Sequence, residues 1–510
     1  MSKKPLNFII ITSDQQRWDC LGKLNSLVPT PNLDKLADDG ILFTDAYCPS
    51  PTCTPSRASL LTSQLPSRHG AYNIGTSLDI DTKGIAHQFN ENGYATSLIG
   101  KAHFQQCHGC PDSLESEPKV HNWDFFQNWN GPYYGFEHVE LCIGHTNEKK
   151  SGGMHFGLWL KEQGIDLEKY FNYGQFDAFF GHGKWDLPEE FHNSKWIADK
   201  SIEFIDKQIE ADKSFLLWSS FQDPHAPCWV SSPWDTIVNP DDIPLPKQFP
   251  DDAKNKPPFY APLDSEEKNG YPAYDKDETT KWNHNFGIPH SWFNVFKEPE
   301  EIKKITALYY GMIALMDHHI GRMIDALKEK GIYDNTVIVF TSDHGDYLGH
   351  HNLWNKGLHA YDDIQKVPFI AKVPGNKTKG KQSTTLQNLM DIAPTFSSLA
   401  NFDINRNYEG VDQSTVWSGE NKKVQDWTMC EFRPNEMDYL QRTFITDEYK
   451  LVVYMKKEYG ELYDRIEDPD QQNNLWDQSD FQILKGKLLL RMASADMERE
   501  RHYQPRTSGA

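Results

Sequence analysis

Cys53-Thr54-Pro55-Ser56-Arg57 is the tightest group of chemically capable residues in the sequence. It runs into Ala58-Ser59-Leu60-Leu61, which predicts the first turn of a helix. A thiol at that point meets free backbone N–H groups and the positive end of the helix dipole, both of which favour anions. A guanidinium four residues on suits a tetrahedral oxyanion. Read alone, Cys53 is either a nucleophile of lowered pKa or a buried thiol ahead of a capped helix. Asp14-Gln15 and Asp343-His344 each follow an apolar run that reads as a strand. Two such pairs at the ends of parallel strands can converge on one cation, or serve singly as helix caps. Lys101 and His103 follow a third run. His225 follows a fourth, in Asp223-Pro224-His225-Ala226-Pro227. Lys356-Gly357 comes thirteen residues after Asp343, and His350, His351 and His359 lie close by without an assigned role.

Taken together, these residues resemble the type I, formylglycine-dependent sulfatases of the alkaline phosphatase superfamily, whose signature is C-x-P-S-R. The resemblance implies that a formylglycine-generating enzyme oxidises Cys53 after translation. A hydrated aldehyde, not a thiol, would then attack sulfur. It further implies one divalent metal held by Asp14, Gln15, the side chain at 53, Asp343 and His344. Arg57 would favour ionisation of the attacking hydroxyl and Asp343 would accept its proton. Lys101 and Lys356 would bind the sulfuryl oxygens. His225 would protonate the leaving oxygen, and His103 would remove the proton that drives sulfate out. Calcium is the metal the family implies. Many members have Asp where this chain has Gln15 and Asn where it has His344, and the softer donor set shifts the site toward manganese or zinc. The same two variations look like those of the phosphonate monoester hydrolase branch, the alternative reading. Lys101 and His103 favour the sulfatase side. A non-catalytic anion- or glycan-binding relative is disfavoured because every expected catalytic position is filled. Ser63 stands where the family usually has Gly.

Buried strands are predicted at Asn7–Thr12, Ala95–Gly100, Phe215–Trp218 and Thr336–Phe340. A short helix from Pro31 ends at Gly40, a residue suited to a helix C′ position. A long packing helix is predicted from about Glu301 to Lys330, on apolar residues at helical spacing. Alternating strands and helices predict an α/β fold with a large, mostly parallel sheet flanked by helices, as in the alkaline phosphatase and sulfatase folds. The catalytic domain is expected over 1–425. A smaller C-terminal α+β subdomain is expected over 426–510, with strands at Tyr449–Tyr454 and Glu461–Asp464, a helix at Phe481–Arg499 and a disordered tail after Tyr503. Residues 105–195 and 228–298, rich in aromatics, glycine, proline and charge, are expected to be loop insertions that shape the substrate pocket.

The bulk properties set outer limits. With 510 residues and 38% hydrophobic content, the chain can bury a large core. A net charge of −21 disfavours nucleic acid and long polyanionic saccharides. A small sulfate ester, free or on a saccharide, entering a locally basic pocket is compatible with it. No stretch approaches the roughly 18 apolar residues of a membrane span. The apolar run Phe8–Ile11 is too short for a signal peptide, so the chain is expected in the cytoplasm. Eight cysteines are too few for a disulfide scaffold, and Cys107 and Cys110 form a lone C-x-x-C read as structural or incidental. Oligomeric state is not legible.

Overall fold

Strands covered by helices on both faces are apolar almost without interruption. Asn7–Ser13 (β1) is of this kind and is buried along its whole length. The protein is described by a computed structural model covering residues 4–171, 181–260, 291–293, 296, 298–434 and 440–499. The stretches 172–180 and 261–290, inside the expected loop insertions, and the tail after Tyr503 lie outside the described residues.

Among the described residues, β1 is central to an eight-stranded sheet. The other strands are Ile41–Phe43 (β2), Ala95–Lys101 (β3), His138–Cys142 (β4), Phe215–Ser220 (β5), Thr336–Ser342 (β6), Phe369–Lys372 (β7) and Lys381–Ser383 (β8). Their order is β8-β2-β7-β6-β1-β5-β3-β4. Only β7 runs against the others. The register decides where the chemistry emerges. β1 and β6 pair in parallel from Asn7 opposite Thr336 to Ser13 opposite Ser342. Asp14 and Asp343, the next residues, therefore leave the sheet side by side.

Alternate residues of β1 face opposite cores. Phe8 and Ile10 pack with Leu98, Trp218 and Val339 on one face. Ile9 and Ile11 pack on the other with Leu217, Ile338 and the helix residues Met316, Ile320 and Met323. The helices that matter here are Pro31–Asp39 (α1), Cys53–Thr62 (α2), Asn193–Glu210 (α3) and Pro299–Glu329 (α4). α4 matches the apolar spacing read from the sequence. Among the described residues, no helix is long and apolar enough to cross a membrane.

Two details of α1 depart from local sequence rules. Gly40 has φ −123°, outside the left-handed region, so it does not end the helix by its conformational freedom. It is required by close approach, since a Cβ there would lie 2.5 Å from the Ala371 carbonyl oxygen. Thr30 gives no side-chain cap. The cap comes instead from Asp317 of α4, whose carboxylate accepts from the backbone N–H groups of Asn32 (3.1 Å) and Leu33 (2.8 Å). Asp317→Ala is expected to lower stability by about 1–3 kcal/mol by orphaning these donors. An unchanged midpoint in urea unfolding would remove the cap from the account.

The stretch 105–195 is not all loop. It supplies the edge strand β4 and a helix at Met154–Glu162. β4 is half-buried in alternation and short, so it lacks the continuous apolar signature of β1 or β6. Pairing with β3 defines it.

Residues 427–464 form a four-stranded antiparallel sheet, Trp427–Phe432 (β9), Gln441–Thr446 (β10), Tyr449–Tyr454 (β11) and Gly460–Asp464 (β12), in sequential order. The helix Gln482–Arg499 (α5) packs Leu488 and Ala495 on Phe444, Leu451 and Leu462. The N–H of Glu431 in β9 donates to Pro49 O, 2.8 Å away, tying this sheet to the segment before α2.

Candidate active site

The C-terminal ends of five parallel strands supply the site: β1 gives Asp14, β3 gives Lys101, β4 leads to His145, β5 leads to His225 and β6 leads to Asp343 and His344. α2 enters from above with Cys53 as its first residue. Every residue of α2 is buried, so its N-terminus points into protein. The helix stops at Ser63, whose φ of 55° is left-handed and accounts for the glycine usual at this place. Serine is held there by two bonds: its Oγ donates to Met390 O (2.7 Å) and accepts from Gly410 N (3.1 Å).

Around the Cys53 sulfur lie His344 Nε2 at 3.2 Å, Lys356 Nζ at 3.3 Å and Asp14 Oδ1 at 3.8 Å. Arg57, one turn along α2, is 1% exposed. Its Nε donates to Asp343 Oδ2 (2.8 Å), and its Nη1 to Lys101 O (2.9 Å) and Ser220 Oγ (2.7 Å). Its Nη2 has no hydrogen-bond partner and lies 3.6 Å from Asp14 Oδ2. Lys101 Nζ donates to Asp14 Oδ2 and to His145 Nε2 (2.8 Å). Gly100 sets this geometry: its φ is +105°, and a Cβ would meet Ser220 O at 1.9 Å. Lys356 Nζ donates to Gln15 Oε1 (2.6 Å) and His225 Nε2 (2.8 Å) as well as approaching sulfur.

Three cations, Arg57, Lys101 and Lys356, thus face two carboxylates, Asp14 and Asp343. The centre of this strongly acidic chain is locally basic, an environment that favours anions. Burial raises the pKa of Asp14, but Lys101, His225, His145 and Arg57 more than offset it, and the carboxyl lies well below its ordinary range. Burial raises the Cys53 thiol, against the pull of Lys356 and Lys101, so the unmodified residue is no activated thiolate.

Asp14, Cys53, Asp343 and His344 offer ligand atoms that all lie within 4.8 Å of one another, all from buried residues. His344 fits a metal ligand in its tautomer. Gly345 O can only accept, so the 2.9 Å contact leaves the proton on Nδ1 and the Nε2 lone pair directed at the cluster. Burial holds this imidazole down to about 4. The donor set suits a divalent cation. Gln15 is arranged differently from the other expected ligands. Its N–H donates to Asp343 Oδ1 (3.0 Å), while its side chain bonds Asp346, Asn355 (2.8 Å) and Lys356 (2.6 Å). His103, at φ 55°, has both ring nitrogens buried without a hydrogen-bond partner. Burial, with Lys101 and Arg57, holds its pKa well below the usual value.

Sequence reading missed His145, Ser220, Asp346 and Asn355. His145 was legible only by recognising β4, since it lies just beyond that strand, at the same end of the sheet where β3 closes with Lys101 opposite Cys142. Asp346 and Asn355 flank residues that were selected, but nothing local marks them as partners of Gln15.

The mostly parallel sheet thus gathers a buried group of carboxylates, imidazole, thiol and cationic side chains at one end of its strands. Residues 6–402 match the Sulfatase family model, and the chain belongs to that family. Residues 349–498 match the model described as N-sulphoglucosamine sulphohydrolase, C-terminal. An arylsulfatase of Clostridium perfringens is 29% identical, over 93% of this chain and 91% of that protein. An N-acetylglucosamine-6-O-sulfatase of Bacteroides thetaiotaomicron is 24% identical, over 99% of this chain and 88% of that protein. The phosphonate monoester hydrolase of Silicibacter pomeroyi superposes with a TM-score of 0.76 at 23% identity, covering 98% of this chain and 96% of that one, and so shares the fold.

Proposed function

We propose that the protein hydrolyses a sulfate ester through a formylglycine hydrate made from Cys53, with one divalent metal held by Asp14, Asp343, His344 and the side chain at 53. The observation that carries the reading is the gathering of those four residues under Arg57, Lys101 and Lys356. Gln15 is kept as a candidate fifth ligand, and its Oε1 would turn from Lys356 Nζ to reach the ion. Calcium is the expected ion, with manganese or zinc favoured by His344. When bound, the metal would polarise a sulfuryl oxygen and favour ionisation of the attacking hydroxyl. The hydrate would supply one hydroxyl to sulfur and a second to expel sulfate as the carbonyl re-forms, so that ester and water give alcohol and sulfate.

The remaining work falls to the chain. Asp343 accepts the proton of the attacking hydroxyl while Arg57 holds its other oxygen. Lys101 and Lys356 neutralise the sulfuryl oxygens. The proton for the leaving oxygen comes from the Lys356–His225 couple, whose nitrogens are 2.8 Å apart. His103, with both nitrogens unpaired, takes the proton of the second hydroxyl. The saccharide sulfatase among the relatives supports a small saccharide or aryl sulfate as substrate, and a formylglycine-generating enzyme is the partner needed for maturation. We place the boundary between the catalytic domain and the C-terminal subdomain at about residue 425 and the protein in the cytoplasm.

Gln15 and His344 favour a second reading, a phosphonate monoesterase on the same scaffold. Matched aryl sulfates and aryl phosphonates decide between them, assayed on protein matured in a host that makes formylglycine. We expect sulfate turnover to exceed phosphonate turnover by about tenfold or more in kcat/KM. The reverse ratio would replace the first reading by the second.

A further inference from the structure

We propose that His145 is a positioning residue for the acid–base machinery, holding Lys101 against Asp14 and fixing the plane of His225, with Glu148 setting its tautomer. The inference rests on the hydrolase reading above and deepens it. Three contacts carry it. An ammonium has only hydrogens to offer, so the 2.8 Å contact from Lys101 Nζ requires a lone pair on His145 Nε2. The ring proton is then on Nδ1, which is buried, has no hydrogen-bond partner and lies 3.6 Å from Glu148 Oε2. Glu148 is anchored by the His145 backbone N–H at 3.2 Å, and its side chain is 2% exposed. The face of His145 lies on the face of His225, with ring centroids 3.4 Å apart and planes within 5°.

His225 is fixed in the same way from its other side. Lys356 Nζ donates to its Nε2, and its Nδ1 lies 2.5 Å from Ala226 O. Two ammonium–imidazole couples therefore stack beside the Cys53 centre, each lysine also reaching that centre. Asp14, His145 and His225 also have ligand atoms within 4.8 Å of one another, so they form a second metal-capable group on geometry alone. The lysine hydrogen bonds already engage the two imidazole Nε2 atoms and Asp14 Oδ2, which makes positioning the better reading. A flat ring pressed on His225 restricts its rotation.

The test uses full-length matured enzyme and aryl esters whose leaving phenols run from strongly to weakly acidic. His145→Ala is expected to lower kcat about thirtyfold on the poorest leaving group and less than about threefold on the best, with KM within about twofold and bound metal unchanged by elemental analysis. His145→Gln keeps an acceptor for Lys101 but no ring for His225, and is expected to recover part of the loss. Glu148→Gln is expected to show the same trend at smaller size. A uniform loss across the series, an effect confined to KM, or loss of metal overturns the proposal, the last by making His145 a ligand. If His145→Ala does not fold, the Gln variants decide by the same criteria. Wild-type enzyme that cleaves aryl phosphonates and no aryl sulfate overturns the sulfatase reading alone, and the phosphonate series then decides the role of His145.

Discussion

Cys53→Ala protein is expected to fold and to lose turnover by about 10⁴-fold or more, because the side chain at 53 is the proposed nucleophile and the group expelling product. Alanine is a good helix former and the thiol is small. The cost in stability at this buried position is expected to be near 1 kcal/mol. The cations around it stay in place, so sulfate esters should still bind, and the loss should appear in kcat with KM little changed. Mass spectrometry of the wild-type peptide containing residue 53 should show an aldehyde in place of the thiol. Retention of a tenth of wild-type activity by Cys53→Ala would end the proposed mechanism. Full activity in protein whose Cys53 is unmodified would end it as surely.

Asp14→Asn is expected to lower kcat/KM about 10³-fold and to deplete bound metal. Asparagine keeps the shape and removes the charge. That charge meets Lys101 and lies 3.6 Å from Arg57 and 3.8 Å from His145. Removing one partner from a buried set of charges leaves the others uncompensated, at about 3 kcal/mol of stability. Prolonged chelation of the wild type should reproduce the loss of activity without the substitution. Re-addition of calcium, manganese or zinc in parallel then identifies the ion by the lowest restoring concentration. An Asp14→Asn protein that keeps both metal and turnover would show that the four-residue cluster is not where the cation sits.

Much of this architecture was legible because its strands are buried on both faces. β1 and β6 read as unbroken apolar runs and were predicted within two residues of their ends, as was α4. A strand at the sheet edge gives a weaker signal. β4 alternates between buried and half-buried residues, and the stretch containing it was read as loop, which hid His145. Gly40 shows the same limit at the scale of one residue: its position after α1 was legible, but its reason lies in β7, more than three hundred residues away.

The sequence alone determined the family, the α/β class and the residue types available for chemistry, because each of these is written in local runs and short spacings. Tertiary structure decided which of those residues meet. The parallel register of β1 on β6 brings Asp14 beside Asp343, and α2 carries Cys53 and Arg57 between them. The same packing turned the Gln15 side chain toward Lys356 and laid His145 flat on His225. Contacts of this kind depend on strand order and side-chain direction, which are set by burial of the whole sheet and leave no mark in the neighbouring sequence.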